Sequence, residues 1–241
     1  MKKRVLITGS SKGIGAAIAT ILAQNNYDVI LTGRDENALK ILAEKINAKG
    51  YIVVDLLEEN SVKTLYTRAI EILGGIDILI NNAGKYFYGA IENTSIENIS
   101  ELLTLNTQKP YELISAFAKD MKKQNFGRIV NIGSISGAVG EANASLYSLT
   151  KSALIGMTKA LALELAQNNI TVNTINPGFV QTELLENTFD KDFTKEELLD
   201  MIPQTRFIEP KEIANCVKYL ISEDAKGFTG QSINLCAGMS I

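Results

Sequence analysis

The chain has 241 residues, 46% of them hydrophobic and 21% charged, and its 24 Lys and Arg residues against 27 Asp and Glu residues give a net charge of −3. A chain of this length buries one sizeable core, so we expect a single domain over residues 1–241; the slight acidity argues against nucleic acid or an anionic membrane as a partner. The absence of His excludes a His-based triad or a His-ligated zinc ion, and two Cys are too few for a Cys-rich metal site, so we predict no metal.

The chain begins with the basic segment Met1-Lys2-Lys3-Arg4, but only three apolar residues follow before Thr8. That run is too short for the apolar region of a signal peptide or for a membrane span. We therefore expect a cytoplasmic protein whose partners are small molecules.

Short runs rich in β-branched residues alternate with longer amphipathic stretches, at the spacing that βαβ crossovers require. The predicted strands are 5–8, 29–32, 51–54, 76–80, 129–132, 171–175 and 232–235. The predicted helices are 13–24, 36–47, 61–73, 106–122, 146–166 and 210–221. This order predicts an α/β protein with a Rossmann-type, doubly wound parallel sheet of about seven strands flanked by helices.

The segment 181–207 has no clear strand partner and follows the turn Asn176-Pro177-Gly178. Insertions at the carboxyl ends of parallel strands usually have a function, because α/β sheets bind ligands at that edge. We expect a mobile substrate lid here. A plain solvated connection is the alternative.

A glycine-rich turn, Thr8-Gly9-Ser10-Ser11-Lys12-Gly13-Ile14-Gly15, joins the first predicted strand to the first predicted helix. Backbone N–H groups at a helix start can face a pyrophosphate, and glycines permit its close approach. The turn therefore predicts a dinucleotide site, with an ordinary left-handed connection as the alternative.

This turn resembles the T-G-x-x-x-G-x-G segment of the short-chain dehydrogenase/reductase family, and the resemblance runs from Arg4 to Met239. Asp55-Leu56 matches the family's adenine contact, Asn81-Asn82-Ala83-Gly84 its N-N-A-G segment, and Pro177-Gly178 with Thr182 the stretch that holds the nicotinamide carboxamide. The cofactor-binding residues implied are Gly9, Ser11, Lys12, Gly13, Ile14, Gly15, Arg34, Asp55, Leu56, Asn82, Ala83, Gly84, Tyr147, Lys151, Pro177, Gly178, Val180 and Thr182.

The charges near the expected adenosine ribose favour NADPH over NADH. A carboxylate at the end of the second strand would accept a hydrogen bond from a 2′-OH and repel a 2′-phosphate, but Gly33 occupies that position. Arg34 and Lys12 supply two cations that can meet a 2′-phosphate. The alternative is that Asp35 accepts from the ribose and Arg34 is a surface charge.

Tyr147 and Lys151 are four residues apart and therefore share one face of a predicted helix. An ammonium close to the phenol would lower the tyrosine pKa from its ordinary value of about 10 by roughly 1–3 units, which makes a usable acid. By itself this pair is common on half-exposed helices. Ser134, just after a predicted strand, would donate to a substrate carbonyl oxygen, whereas we expect Ser136 to close the local turn.

Ser134, Tyr147 and Lys151 match the catalytic residues of the resembled family. Asn106 matches its asparagine that bends a helix around a water linking Lys151 to solvent; an N-cap is the alternative for this residue. The resemblance implies that the pro-S hydride of NADPH passes to a carbonyl carbon, while Ser134 holds the oxygen, Tyr147 protonates it and Lys151 binds the nicotinamide ribose. It also implies a homotetramer, with interfaces on helices 106–122 and 146–166 and on segment 232–241.

The segments 127–134, 176–179 and 229–231 resemble bacterial 3-oxoacyl-acyl-carrier-protein reductases, which implies reduction of a 3-oxoacyl thioester in fatty-acid biosynthesis. Asn125 and Asn168 stand where those reductases carry carrier-docking arginines, so the chain offers fewer positive charges to an acidic acyl carrier protein. A dehydrogenase of a sugar, steroid or small ketone, and an NADPH-binding protein without turnover, remain alternatives.

Aromatic residues that can line an apolar pocket are Tyr86, Phe87, Tyr88, Phe179, Phe189 and Phe193.

Overall fold

The structure, a computed structural model, describes residues 2–186 and 194–240. Its strands form one sheet in the order β3-β2-β1-β4-β5-β6-β7, and all neighbouring strands are parallel. The strands are β1 (Arg4–Ile7), β2 (Asp28–Gly33), β3 (Gly50–Val53), β4 (Ile78–Asn81), β5 (Gly127–Ile132), β6 (Ile170–Pro177) and β7 (Ser232–Leu235). The predicted fold class and its seven strands are confirmed.

Helices cover both faces of this sheet. They are α1 (Gly13–Gln24), α2 (Glu36–Ile46), α3 (Ser61–Leu73), α4 (Ile96–Leu103), α5 (Lys109–Lys123), α6 (Ile135–Val139), α7 (Ser145–Leu165), α8 (Glu183–Glu186), α9 (Lys195–Asp200) and α10 (Pro210–Leu220). The sequence patterns did not predict α4, α6, α8 or α9, three of which are too short for a clear helical period. In the described ranges, no helix combines the length and the apolar character needed to cross a lipid bilayer.

The central strands are almost fully buried because helices cover both faces of the sheet, and polar side chains such as Asn131, Asn173 and Asn176 are buried among the apolar ones. Successive side chains of a strand point to opposite faces, so Val5 and Ile7 pack on one side while Leu6 packs on the other. The first face is covered by α1, α2 and α10, and the second by α3, α5 and α7. This three-layer arrangement fixes the positions of the strand ends, and with them the loops that carry the predicted site.

The predicted helix 106–122 is part of a longer helical segment. A π-helical turn, Thr104–Gln108, joins α4 to α5 without a break, and Asn106 is the middle residue of this turn. The alternative role of Asn106 as an N-cap is therefore wrong, because the backbone is helical on both sides of it. Single π turns inserted in α-helices frequently occur at functional sites.

The two ends of the predicted lid are tied together at the edge of the domain. Val180 and Ile208 form a parallel bridge, and the Gln181 N–H donates to the Ile208 carbonyl at 2.9 Å. Between them, α9 buries Leu198 against the domain. Residues 187–193 of the lid lie outside the described residues.

Candidate active site

Side chains at the end of β4 hold the glycine-rich turn in place. Thr8 Oγ1 accepts hydrogen bonds from the backbone N–H groups of Asn82 at 2.9 Å and Ala83 at 3.0 Å. Asn82 Nδ2 donates in turn to the carbonyls of Thr8 at 3.0 Å and Gly9 at 2.9 Å. The turn leads directly into α1, whose first N–H groups have no partner within the helix and therefore suit an anion.

The backbone of this turn leaves no room for side chains. Gly9 has a φ of +62°, and a Cβ at this position would lie 2.9 Å from the Ala83 Cα. A Cβ at Gly15 would overlap the Gly9 carbonyl oxygen. A bare backbone at a helix start fits the pyrophosphate of a dinucleotide, which needs close approach to N–H groups. Ser11 and Ile14 lie in the same turn, and Ile14 packs partly against the core.

The end of β2 brings one cation and two carboxylates together. The Arg34 side chain is 74% exposed, and its guanidinium lies 3.6 Å from a carboxylate oxygen of Asp55. Asp55 also accepts from the Leu57 N–H at 2.9 Å. Asp35 accepts from the Ala38 N–H at 3.0 Å and so caps the start of α2. Asp35 was predicted as an alternative acceptor for the ribose. In the structure its side chain is engaged in capping α2.

The remaining predicted cofactor residues lie around the same edge of the sheet. Lys12 forms an ion pair with Glu183 at 2.7 Å, which connects the turn to α8. Thr182 lies beside Gly13, where a Cβ would be 3.5 Å from the Thr182 methyl group. Pro177 ends β6, Gly178 is closely packed against Cys236, and the side chains of Val180 and Leu56 are buried in the core.

Ser134, Tyr147 and Lys151 meet at the carboxyl end of β5. Lys151 is buried, and its Nζ donates to the Ile132 carbonyl at 2.9 Å and lies 5.7 Å from the centre of the Tyr147 ring. Ser134 is hydrogen-bonded to the Tyr147 phenol. These three side chains, which span positions 134 to 151 of the sequence, thus form one compact group.

The electrostatics of this group differ from the expectation. Loss of solvent around the phenol raises the pKa of Tyr147 to about 12; the hydrogen bond with Ser134 lowers it, and the negative charge of Glu141 raises it further. Burial also lowers the pKa of Lys151 to about 8. The expected lowering of the Tyr147 pKa by Lys151 is therefore not found, because desolvation is the larger effect and the ammonium points at the Ile132 carbonyl.

Asn106 connects the π turn to the loop after β4 and to α7. Its side-chain oxygen accepts from the Lys85 N–H at 2.9 Å, and its Nδ2 donates to the Lys85 carbonyl at 2.9 Å and to Thr150 Oγ1 at 3.2 Å. A Cβ at Gly84 would lie 3.2 Å from the Asn106 oxygen and 3.4 Å from Lys151 Nζ. Glycine at position 84 thus lets Asn106 and Lys151 approach the same point.

Ser136 does not play the role expected of it. Ser134 caps α6 by accepting from the Ser136 N–H at 3.2 Å, and the Ser136 hydroxyl donates instead to Glu141 at 2.5 Å. Glu141 also accepts from the Tyr86 hydroxyl at 2.6 Å. Glu141 was not predicted as a site residue. The sequence feature that could have indicated it is that Glu141 is the one charged residue between Ser134 and Tyr147.

The predicted aromatic pocket is only partly described. The Tyr86 ring meets the Tyr147 ring edge-on with 4.9 Å between centroids, and Tyr88 lies 6.4 Å from Tyr86. Phe87 precedes Tyr88 in the same loop, and Phe179 packs against the core. The other two predicted members, Phe189 and Phe193, lie outside the described residues.

Comparison with known proteins agrees with this geometry. A family model described as "Enoyl-(Acyl carrier protein) reductase" matches residues 9–240. The chain is 38% identical to the 3-oxoacyl-acyl-carrier-protein reductase FabG of Aquifex aeolicus, over 97% of this chain and 96% of that protein, and 34% identical to FabG of Vibrio cholerae, over 98% and 97%. The solved structure of YwfH, an NADPH-dependent reductase involved in bacilysin biosynthesis, superposes with a TM-score of 0.93 at 29% identity, over 100% of this chain and 99% of that one. The chain therefore belongs to the short-chain dehydrogenase/reductase family and is an NAD(P)-dependent oxidoreductase.

Proposed function

We propose that this protein uses NADPH to reduce a 3-oxoacyl thioester to the 3-hydroxyacyl form. The observation that carries the proposal is the compact group of Ser134, Tyr147 and Lys151 at the sheet edge where the glycine-rich turn also lies. An acid and a hydrogen-bond donor beside a dinucleotide site suit reduction of a carbonyl. The FabG relatives support a 3-oxoacyl substrate.

In the proposed mechanism, each residue acts on the carbonyl oxygen or on the group that protonates it. The glycine-rich turn between Gly9 and Gly15 would hold NADPH, which would supply a hydride for the carbonyl carbon when bound. Ser134 holds the carbonyl oxygen by a hydrogen bond, and Tyr147 donates its phenolic proton to that oxygen, so the product is a neutral alcohol. Lys151, whose Nζ lies 5.7 Å from the centre of the Tyr147 ring, is the cation placed to offset part of the charge that develops on the phenolate as its proton leaves. Asn106 positions the Lys85 backbone and the π turn next to Lys151.

The adenosine end of the site supports NADPH as the cofactor. Gly33 brings no negative charge to the end of β2, and Arg34 extends an exposed guanidinium there. The carboxylate of Asp35 is engaged in capping α2. Lys12 supplies a second cation from the glycine-rich turn. A 2′-phosphate would bind Arg34, since a guanidinium binds phosphate oxygens in a bidentate manner, and Lys12 would join it by exchanging its partner Glu183 for the phosphate.

Whether the acyl group is delivered on an acyl carrier protein or as a free thioester depends on the surface charge near the end of α5. Asn125 follows this helix, and the Asn169 side chain donates to its carbonyl at 3.2 Å. Neither Asn125 nor Asn168 offers the positive charge that would attract an acidic carrier. Exposed lysines Lys119, Lys122 and Lys123 on α5 offer that charge instead. A carrier-bound and a free thioester therefore distinguish docking through these lysines from binding of the acyl group alone.

The test is steady-state oxidation of NADPH or NADH with a panel of carbonyl compounds. The panel contains acetoacetyl-CoA, acetoacetyl-acyl carrier protein, cyclohexanone, a ketose and a 3-ketosteroid. We expect the two thioesters to have the highest kcat/KM, with NADPH preferred. Crotonyl-CoA tests reduction of a carbon–carbon double bond, which the description of the family model raises, and should not be consumed.

Activity on the ketose, the steroid or cyclohexanone without activity on either thioester would contradict the thioester proposal. Tight NADPH binding with no turnover on any compound would point to a binding protein. A free thioester reduced as well as the carrier-bound one would indicate that carrier docking contributes little.

We also propose a homotetramer that uses the outer faces of α5 and α7. Leu163 is 84% exposed and Tyr111 is 56% exposed on these two helices. Large exposed apolar side chains on neighbouring helices are typical of a subunit interface. Light scattering coupled to size-exclusion chromatography checks the mass, and a monomer at micromolar concentration would contradict the assignment.

A further inference from the structure

Glu141 places a carboxylate in the substrate-facing part of the site, on the loop between α6 and α7. Both of its oxygens are engaged: one accepts from the Tyr86 hydroxyl at 2.6 Å and the other from the Ser136 hydroxyl at 2.5 Å. Tyr86 lies in the loop after β4, and Ser136 lies in α6. No ion pair with Glu141 occurs in residues 2–186 and 194–240.

Two short routes connect this carboxylate to the groups that handle the carbonyl. Along the first, the Ser134 hydroxyl donates to Ser136 Oγ at 3.1 Å, and Ser136 donates to Glu141. Along the second, the ring of Tyr86 lies edge-on against the ring of Tyr147, with centroids 4.9 Å apart. Glu141 is therefore separated from each of these two residues by a single intervening side chain.

The charge of Glu141 acts on whatever occupies the space in front of Ser134 and Tyr147. Carboxylates accept short hydrogen bonds from two hydroxyls most readily when they are ionised. The negative charge is also felt by Tyr147 and Tyr86, whose pKa values it helps to raise. Lys151, the described cation at this point, is buried behind Tyr147 and donates to the Ile132 carbonyl. Glu141 therefore adds a negative charge close to Ser134 and Tyr147, and no ion pair among the described residues neutralises it.

We infer that Glu141 is a specificity-determining residue that rejects substrates with a carboxylate next to the reacting carbonyl and admits neutral esters, thioesters and ketones. The inference rests on the proposed carbonyl reduction and narrows its substrate class. Two like charges several Å apart in a partly desolvated cleft repel each other far more strongly than in bulk water. A free 3-oxo acid places its carboxylate two bonds from the carbonyl carbon, whereas a thioester of the same acid places a neutral group there.

The inference is tested with ethyl acetoacetate and acetoacetate, which share the reacting carbonyl and differ in charge. We expect the wild-type protein to reduce the ester with a kcat/KM at least about tenfold higher than the acid. In Glu141→Gln, kcat/KM for acetoacetate should rise about five- to tenfold, while the value for the ester changes less than about threefold. An unchanged ester-to-acid ratio in this variant overturns the inference.

Two matched variants separate charge from structure. Ser136→Ala removes a hydrogen bond of Glu141 but keeps its charge, and should leave the ester-to-acid ratio close to wild type even if both rates fall. Glu71→Gln neutralises an exposed carboxylate near the end of α3, at the amino edge of the sheet, and should also leave the ratio unchanged. A ratio that shifts equally in Ser136→Ala would assign the effect to side-chain positioning and contradict the inference.

A further measurement needs no variant. Raising the ionic strength from about 10 mM to 300 mM screens the repulsion, so kcat/KM for acetoacetate should increase while that for the ester stays constant. If Glu141→Gln does not fold, a flat salt dependence for the acid alone overturns the inference. The proposed function fails if acetoacetyl thioesters are not reduced, which is a separate outcome. In that case the charge test compares the ketone with the highest kcat/KM and its carboxylate analogue.

Discussion

The cofactor side and the substrate side of the site are built in different ways. The cofactor side consists of the β1–α1 turn with Asn82 and Ala83, and its contacts are mostly made by backbone groups and glycines. The substrate side consists of Tyr86, Ser136 and Glu141, whose contacts are hydrogen bonds between side chains. Backbone contacts tolerate few substitutions, whereas a network of side chains can be changed one residue at a time.

This difference indicates where specificity is adjustable. A bare-backbone cradle binds the part that all dinucleotides share, so its glycines are constrained by close contact with neighbouring backbone. The hydroxyls and the carboxylate of the substrate side determine which carbonyl compound fits. Substitutions on the two sides should therefore have different effects: those on the cofactor side change NADPH binding, and those on the substrate side change turnover or the choice of carbonyl compound.

Tyr147→Phe removes the proton donor between the two sides. We expect kcat to fall about 10²- to 10⁴-fold, the usual contribution of a general acid, with NADPH affinity retained as measured by fluorescence. Tyr86→Phe is the matched control, because it removes the hydroxyl of the tyrosine that contacts the Tyr147 ring; its loss should be under about tenfold. Near-normal turnover in Tyr147→Phe would remove this residue from the mechanism.

Gly9→Ala should damage the cofactor side. The residue has a positive φ, and the new Cβ would press on the Ala83 backbone, so we expect the Kd for NADPH to rise about 10- to 100-fold. Gly227→Ala, at a loop position where a Cβ would meet no atom within 4 Å, is the control and should leave the Kd unchanged. Equal affinities in the two variants would contradict the tight-backbone account of the cradle.

Arg34→Ala tests the adenosine end of the cofactor side. Loss of the guanidinium should raise the KM for NADPH about tenfold and leave the KM for NADH nearly unchanged. Asp35→Asn keeps a capping side chain at the start of α2 and should alter neither value more than about threefold. A wild-type preference for NADH that Asp35→Asn abolishes would favour the ribose-acceptor alternative.

The rate should also depend on pH through Lys151. Its pKa of about 8 lies below the ordinary lysine value, so the ammonium loses its proton as the pH rises through 8, while Tyr147, with a pKa of about 12, stays protonated. We expect kcat/KM for NADPH, which reports the free enzyme, to fall about fourfold between pH 7 and 8.5. Lys151→Arg keeps its charge and should give a flatter profile at a lower rate; a flat wild-type profile to pH 10 would contradict this account.

Parts of the site that depend on local motifs could be predicted. The glycine-rich turn lies directly after β1, and the Tyr147–Lys151 pair needs only the helical repeat. Asn106 was predicted as a site residue, but its π turn was not, because that turn depends on contacts with Lys85 and Thr150 from other parts of the chain. The pKa expectation for Tyr147 failed for a related reason: burial cannot be judged from the i, i+4 spacing.

Hydrophobic periodicity and turn chemistry are local properties, so the parallel sheet, the order of its seven strands, six of the helices and the cofactor turn could be predicted from the amino-acid sequence. The tertiary structure alone decided that Tyr86 and Glu141, 55 residues apart, share a hydrogen bond beside Tyr147. It also decided that Ser136 supports Glu141 and does not close a turn. Such contacts depend on how loops from different strands pack at one edge of the sheet, and no spacing along the chain encodes that packing.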